Sequence, residues 1–523
     1  TKDPQDPARR NYLLWRQERL FELCRLWDAE IRKVNPNARF IPNSGGGAMS
    51  DLDMKTMGET AETLFADRQA RSGLAVPWAS GKNGKEYRAA LGNKPIGGIF
   101  SVGVEEPYRW KDSVQSEAEI RIWVADAVAN GLRPWFTKFA AALHDRRWLG
   151  VVERLYTRLQ RWEPYLRNEA PLARVAVVYS QQTATFYGGE RAREKVEDPI
   201  LGVYHALLEA RIPFEMVHDR LLGAEDLNRF KTLVLPNVAA LSDEQCEQLK
   251  RYVKRGGSIV ATYETSRYNE WGERREDFGL AEVFGVSVAG GVQGPMKNAY
   301  LNVAGEPMGR RHPLLAGLEA AGRTIHGVYR LPVTATVDFP EAPLTLVPPY
   351  PDLPMEEVYP RTPKTDTPEV YLRELGGSRI VYFPWDIDRV FWEILNADHG
   401  TLLSNAVAWA TNEERPVTVT GPGIVDVTVW RQKDSMTVHL VNLTNPMMMK
   451  GPFRELIPIG AQRLRVRLPA GAQVKGVKLL AQEFMPQIAV SVGYLELTVP
   501  AVLDHEIVAI DFEPPSQASR GAM

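Results

Sequence analysis

One stretch constrains the fold of this chain more than any other: residues 94–139, KPIGGIFSVGVEEPYRWKDSVQSEAEIRIWVADAVANGLRPWFTKF. Residues 96–104 are largely apolar, are entered through Gly97-Gly98, and predict a buried strand. A polar, aromatic turn follows, Glu105-Glu106-Pro107-Tyr108-Arg109-Trp110. Ser116 followed by Glu119 reads as a capping box, opening a helix with Ile120, Val124, Ala127 and Val128 on one face. A second short strand is predicted over 132–139. Strand, loop, helix, strand of this length is a parallel crossover unit, and in such units chemistry lies beyond the C-terminal strand ends. Glu105, Glu106, Arg109 and Trp110 fall there, with Lys138 at the end of the next strand. Carboxylates, cations and flat rings together suit a sugar site, where acids serve the glycosidic oxygen and rings stack on the pyranose. The competing reading is a plain surface loop in which Pro107 ends the strand and Glu105 pairs with Arg109. If the strand continues, Glu105 and Glu106 point to opposite sides and only one faces the site.

Four strand-and-helix steps precede residue 150: RFIPN, TLFAD, IGGIFSVG and LRPWFTKF. A full eight-step barrel needs about 250 residues, so residues 1–150 predict the C-terminal half of a (β/α)8 barrel. They begin with an amphipathic helix over 8–34, with Leu13, Leu20, Leu23, Trp27 and Ile31 on one side. A further helix is predicted over 51–62, then a connecting loop rich in Trp78, Lys82, Asn83, Lys85, Tyr87 and Arg88. The chain begins TKDPQDPARR without Met, so its start is expected to be missing and the compartment is not read from it.

Residues 151–172 predict a helix and linker. Residues 173–413 alternate apolar strands (RVAVVY, PFEMV, KTLVL, SIVAT, SRIVYF) with helices, the pattern of a flavodoxin-like, doubly wound sheet, interrupted by a Pro- and Gly-rich insertion over about 287–375. Residues 414–512 switch to eight short alternating strands, a small antiparallel β-sandwich, and 513–523 form a polar tail. The expected fold is α/β: half barrel, doubly wound domain, sandwich.

Several chemistries find no support. At 63 Lys+Arg against 65 Asp+Glu, the net charge of −2 suggests no nucleic acid partner. No apolar run reaches the ~18 residues that span a bilayer, so no membrane partner is expected. Cys24 and Cys246 lie far apart on predicted helices. The 8 His are scattered without HxH or HExxH spacing, so no metal site is assigned. No GxGxxG follows RVAVVY, no GxxxxGK[ST] occurs, and SIVAT is followed by Tyr263-Glu264-Thr265-Ser266 with no nucleophilic Cys. No cofactor is expected, and the doubly wound domain reads as structural or assembling. The Met447-Met448-Met449 run reads as a hairpin tip packed on a neighbouring domain, or alternatively as an adaptable contact patch.

The order of blocks resembles family 42 β-galactosidases, whose middle domain drives trimer formation. The residues that carry this are RVAVVYSQQTATFYGG, PILGVYHALLEARIPFEMVHDRLL, FKTLVLPNVAALSDEQCEQLKRYVKRGGSIVAT and SRIVYFPWDIDRVFWEILNADHG. The barrel part is more similar to the hypothetical glycosyl hydrolase family 6 group, through NPNARFIPNSGGG, LFADRQARSG, KPIGGIFSVGVEEPYRWKDS and ANGLRPWFTKF. These resemblances imply a glycosidase acting on a carbohydrate substrate, and a homotrimer. In the family 42 pattern, Glu105 or Glu106 on the penultimate strand would be the nucleophile. A pattern like that of α-galactosidases instead makes Asp67, beside Arg68, the proton donor; both schemes stay open. The alternative for Asp67 is a loop-holding salt bridge to Arg68 or Arg71. Trp78, Tyr108, Trp110 and Trp135 are expected to line the sugar subsite, and Asn43, Arg109 and Lys138 to bind hydroxyls. The loop at Trp385-Asp386 is expected to complete the barrel site, its own or a neighbour's. The second function class is a non-catalytic carbohydrate-binding or assembly protein.

Overall fold

The computed structural model describes the chain apart from residues 1, 2, 4, 5, 105, 109, 139–141, 224, 306–310, 447, 449 and 514–523. Its N-terminal part carries a four-stranded parallel sheet in sequential order: β1 (Asn43–Ser44), β2 (Leu64–Ala66), β3 (Ile96–Ser101) and β4 (Arg133–Thr137). The helices are α1 (Pro7–Val34), α2 (Met54–Thr60), α3 (Ala79–Leu91), α4 (Glu117–Ala129) and α5 (Leu149–Trp162). Strand alternation separates two faces. Leu64, Ala66 and Phe100 enter the core that includes Trp123 and Val124 of α4. The other face is open: Phe65 packs on Trp135 with ring centroids 4.8 Å apart, and Trp135 is 48% exposed. Gly97 pairs with Phe65 in register, and a Cβ there would run into the Phe65 ring.

Ser116 caps α4 by accepting from the Glu119 amide at 3.3 Å. Glu119 does not complete the capping box, because its carboxylate holds Arg71 at 2.8 Å and the Phe453 amide. The segment expected as a loop is instead helix α3, and residues 79–87 of it are all buried. On α1 the buried residue is Phe21, while Leu20, Leu23, Trp27 and Ile31 remain exposed.

The middle part is a six-stranded sheet. β6 (Val175–Tyr179), β7 (Phe214–His218), β8 (Thr232–Leu235), β9 (Ser258–Thr262) and Ser378–Phe383 are parallel, and Tyr371–Leu375 adds an antiparallel edge. All but the edge strand are buried nearly throughout, as sheets covered on both faces require. Helices α6 (Asp198–Glu209), α7 (Asp243–Lys254) and Ala397–Thr411 accompany the sheet. Ser242 and Gln245 form a full capping box on α7. The polar run after β6, expected as a loop, winds into π-helical turns at Thr183–Gly188 and Arg193–Glu197 before α6.

The C-terminal strands form a four-stranded and a five-stranded antiparallel sheet. The linker contributes to the second: β5 (Ala170–Pro171) pairs with Trp430–Arg431. One hydrophobic cluster runs from the N-terminal helices through Tyr204 and Phe391 of the middle part to Val441, Leu443 and Phe453 of the sandwich. The three parts therefore share a core.

Candidate functional site

The C-terminal end of β2 carries Asp67. Its backbone amide donates to Ser44 O at 2.8 Å, tying it to the end of β1. Its two carboxylate oxygens accept from Asn43 Nδ2 (2.7 Å) and Gln69 Nε2 (3.0 Å), which fixes the orientation of the group. Asp67, Arg68 and Glu106 line one cavity of about 820 Å³. Its opposite wall comes from outside the N-terminal part: Arg193 and Glu197 from the second π-helical turn, Trp392 from the helix Ile387–Ile394, and Lys450 from the sandwich. The wide turn spaces Arg193 and Glu197 differently from an α-helix, and such turns recur at functional sites.

Beneath the cavity lies a buried ion cluster. Lys82 on α3 reaches Glu86 one turn along and Glu197 at 2.9 Å across the domain junction. Burial alone would drive the ammonium neutral, but the two carboxylates outweigh it and hold the Lys82 pKa above its ordinary value. Burial pushes Glu86 up, with Lys82 opposing; for Glu197, Lys82 and its hydrogen bond overcome burial and bring the carboxyl below its usual range. Arg71 is likewise engaged, donating to Glu119 from two nitrogens, each at 2.8 Å. Trp392 is backed by Trp78 in an edge contact at 5.9 Å and covered by the Lys450 ammonium 3.7 Å from its ring centroid.

The sequence-derived candidates divide. Asp67, Arg68 and Glu106 share the cavity, and Asn43 holds Asp67. Glu105 and Arg109 lie outside the described residues. Tyr108 and Trp110 stand exposed on the turn after β3 with ring centroids 5.1 Å apart, and Trp135 lies on the open sheet face; none of the three lines the cavity.

Four expectations need correction. Trp78 is a core residue: it stacks on Tyr204 at 4.5 Å and donates to His205 Nδ1, so it supports Trp392 and cannot meet a sugar. Lys138 donates to the Lys111 and Ser113 carbonyls, both at 2.8 Å, and lies 3.5 Å from Asp112; its donors hold the turn. Trp385 is fully buried and donates to Glu369 O. Asp386 is buried and bound by Arg389 and the Tyr329 amide, with burial raising its carboxyl pKa against the pull of Arg389. The expected loop does lead to the cavity, but through Trp392, two helical turns beyond Trp385.

Sequence reasoning missed Lys82, Arg193, Glu197, Trp392 and Lys450 as site residues. A signal existed for one contact: Lys82 and Glu86 have the i, i+4 spacing of a helical ion pair, legible once the segment is taken as a helix.

Comparisons with known proteins bear on the fold. Residues 173–291 match the model of the β-galactosidase trimerisation domain. No curated protein sequence matches the chain. Among solved structures, the chain is similar to the β-galactosidase from Bacillus circulans sp. alkalophilus, with TM-score 0.71 and 16% identity over 95% of this chain and 67% of that one. It is also similar to α-L-fucosidase isoenzyme 2 from Paenibacillus thiaminolyticus, with TM-score 0.66 and 16% identity over 88% and 66%. A third is Gan42B, a family 42 β-galactosidase from G. stearothermophilus, with TM-score 0.64 and 14% identity over 92% and 65%. The expected resemblance to family 42 β-galactosidases is thus supported, and the chain spans about two thirds of the length of these structures.

Proposed function

We propose that this chain belongs to a glycosidase that hydrolyses terminal glycosides, β-galactoside-like in its substrate, and that it works as a homotrimer. In this reading the four-stranded sheet is half of a (β/α)8 barrel, followed by the trimerisation domain and the sandwich. The observation that carries it is the shared cavity. Asp67 and Glu106 follow neighbouring parallel strands at their C-terminal ends and line one hollow of about 820 Å³. That is the place where barrel enzymes keep their chemistry. Two carboxylates there suit glycoside hydrolysis through an oxocarbenium-like transition state, one donating or taking a proton and the other stabilising or attacking the anomeric carbon. Arg68 offers donors to sugar hydroxyls, and Trp392 offers an apolar wall beside them. The match of 173–291 to a trimerisation domain supports the assembly.

The test is hydrolysis of aryl α- and β-glycosides by the complete gene product beside Asp67→Asn, Glu105→Gln and Glu106→Gln. A loss of at least about 100-fold in kcat for one variant, with the fold intact by circular dichroism, assigns a carboxylate. Unchanged rates in all three would overturn the assignment. Sugar binding without turnover on any substrate would instead favour the carbohydrate-binding reading.

A further inference from the structure

Glu197 stands where the middle part of the molecule meets the cavity. It ends the π-helical turn Arg193–Glu197 and directly precedes α6, a place from which a side chain can cap a helix, yet it makes no capping bond. Its carboxylate turns to the domain junction instead. Oε1 accepts from Lys82 at 2.9 Å, and the residue lines the same hollow as Asp67. The side chain is 12% exposed. Oε2 accepts no hydrogen bond among the described residues and is not a sealed atom, so it is the oxygen that opens on the hollow. Trp392 and Arg68 border the same space.

The charges along this wall answer one another. Burial pushes the Glu197 carboxyl up, but Lys82, by its charge and its hydrogen bond, and then Arg68 and Arg193 through space, bring it below its usual range. Asp198 acts in turn on Arg193 and Lys450. What Oε2 lacks is therefore a hydrogen-bond donor rather than a counter-charge. An ionised carboxylate accepts hydrogen bonds and donates none, and it holds a hydroxyl about twice as strongly as a neutral acceptor does. A sugar offers such hydroxyls without bringing charge. We propose that Glu197 is a substrate-binding residue whose Oε2 accepts from a hydroxyl of the bound sugar. The middle part then supplies a contact to a glycoside whose reacting groups lie at the barrel strand ends. The inference rests on the glycosidase reading and adds to it a binding residue from within the segment 173–291.

The test is the kinetics of the complete gene product on the aryl glycoside it hydrolyses fastest and on the 3-, 4- and 6-deoxy forms of that sugar, beside Glu197→Gln and Glu197→Asp. The Gln variant removes the charge. The Asp variant keeps a charge for Lys82 but draws the oxygens back by one methylene. In both, KM is expected to rise about tenfold or more with kcat changed by less than about threefold, the mark of a contact made equally in the ground and transition states. One deoxy substrate is expected to cost the wild-type enzyme about tenfold in kcat/KM and the variants about threefold or less, since they have already lost the contact. A role confined to joining the domains would leave the deoxy penalties the same in all three proteins; that result overturns the inference while the glycosidase reading stands. A fall in kcat with KM unchanged, or circular dichroism showing that neither variant folds, overturns it equally. If no glycoside is hydrolysed, the glycosidase reading fails, and calorimetric binding of galactose and its deoxy forms to the three proteins decides the rest. A deoxy penalty present in the wild type and lost in the variants upholds the contact; equal penalties, or no binding, overturn it as well.

Discussion

Trp385 shows how far a side chain's role can lie from the role its neighbours suggest. It follows the buried strand Ser378–Phe383 and precedes a charged helix, the position of a site residue in a parallel sheet. Its indole is nevertheless fully buried, with its ring against His326 and His399 and its N–H spent on Glu369 O. Trp385→Ala is therefore expected to cost about 3–5 kcal/mol of stability through the cavity it leaves. Urea denaturation would show the midpoint fall, and an unshifted midpoint would contradict this placement. Asp67 and Glu106 were legible as candidates for the cavity because strand ends can be read from local pattern. Glu197 and Lys82 were not: they meet across 115 positions of chain, and nothing local to either announces the other. Arg193, Trp392 and Lys450 were hidden for the same reason, since each reaches the cavity only through the packing of whole domains.

At the scale of elements, α3 is the instructive case. Its sequence ASGKNGKEYRAAL has no apolar period and two interior glycines, which argues for a loop on propensity alone. Tertiary contacts override this. Ser80 Oγ donates to Trp123 O at 2.8 Å, the Gly81 amide to Asp126, Lys85 to Asn130, and Arg88 to Glu215 at 2.5 Å. A helix most of whose polar groups are answered by neighbours can be buried along most of its length. Elements with long, largely apolar runs, such as α4 and β9, were by contrast predictable to within a few residues. The glycines of α3 are needed for close approach. A Cβ on Gly84 would stand 2.7 Å from the Asn130 carbonyl oxygen. In an exposed helix, Gly→Ala is worth about 0.5–1 kcal/mol of added stability. Here the backbone clash reverses the sign, so Gly84→Ala is expected to lower the thermal midpoint. A raised midpoint would mean that α3 and the turn after α4 have room to part.

At the scale of the molecule, the sandwich is bound to the rest by charge as well as by the shared core. Asp504 takes Arg121 and Arg158, at 2.8 and 2.9 Å, from α4 and α5; these hold its carboxyl below the usual range although burial pushes the other way. Beside it, His505 and His439 meet ring nitrogen to ring nitrogen at 3.1 Å inside the sandwich sheet. Burial lowers both, His439 to about 3. The native state therefore keeps these imidazoles neutral, while the unfolded chain protonates them below about pH 6.5. Since the unfolded state binds more protons in that window, stability falls as pH drops from about 6.5 toward 3, by up to about 1.4 kcal/mol per pH unit for each histidine. The contribution of Asp504 goes the same way at lower pH: present above about 3.9, it is lost as pH falls through the folded value. Because one core links all three parts, acid is expected to unfold the chain in a single transition. Tryptophan fluorescence, dominated by Trp residues spread over all parts, should coincide with far-ultraviolet dichroism as pH is lowered. Denaturation in urea at pH 7.5 and pH 5 should show the loss directly, and His439→Gln should flatten the difference between the two. If the slope is unchanged in that variant, the acid sensitivity belongs to other groups; if the two signals separate, the sandwich unfolds on its own and the shared core does not bind the parts into one unit.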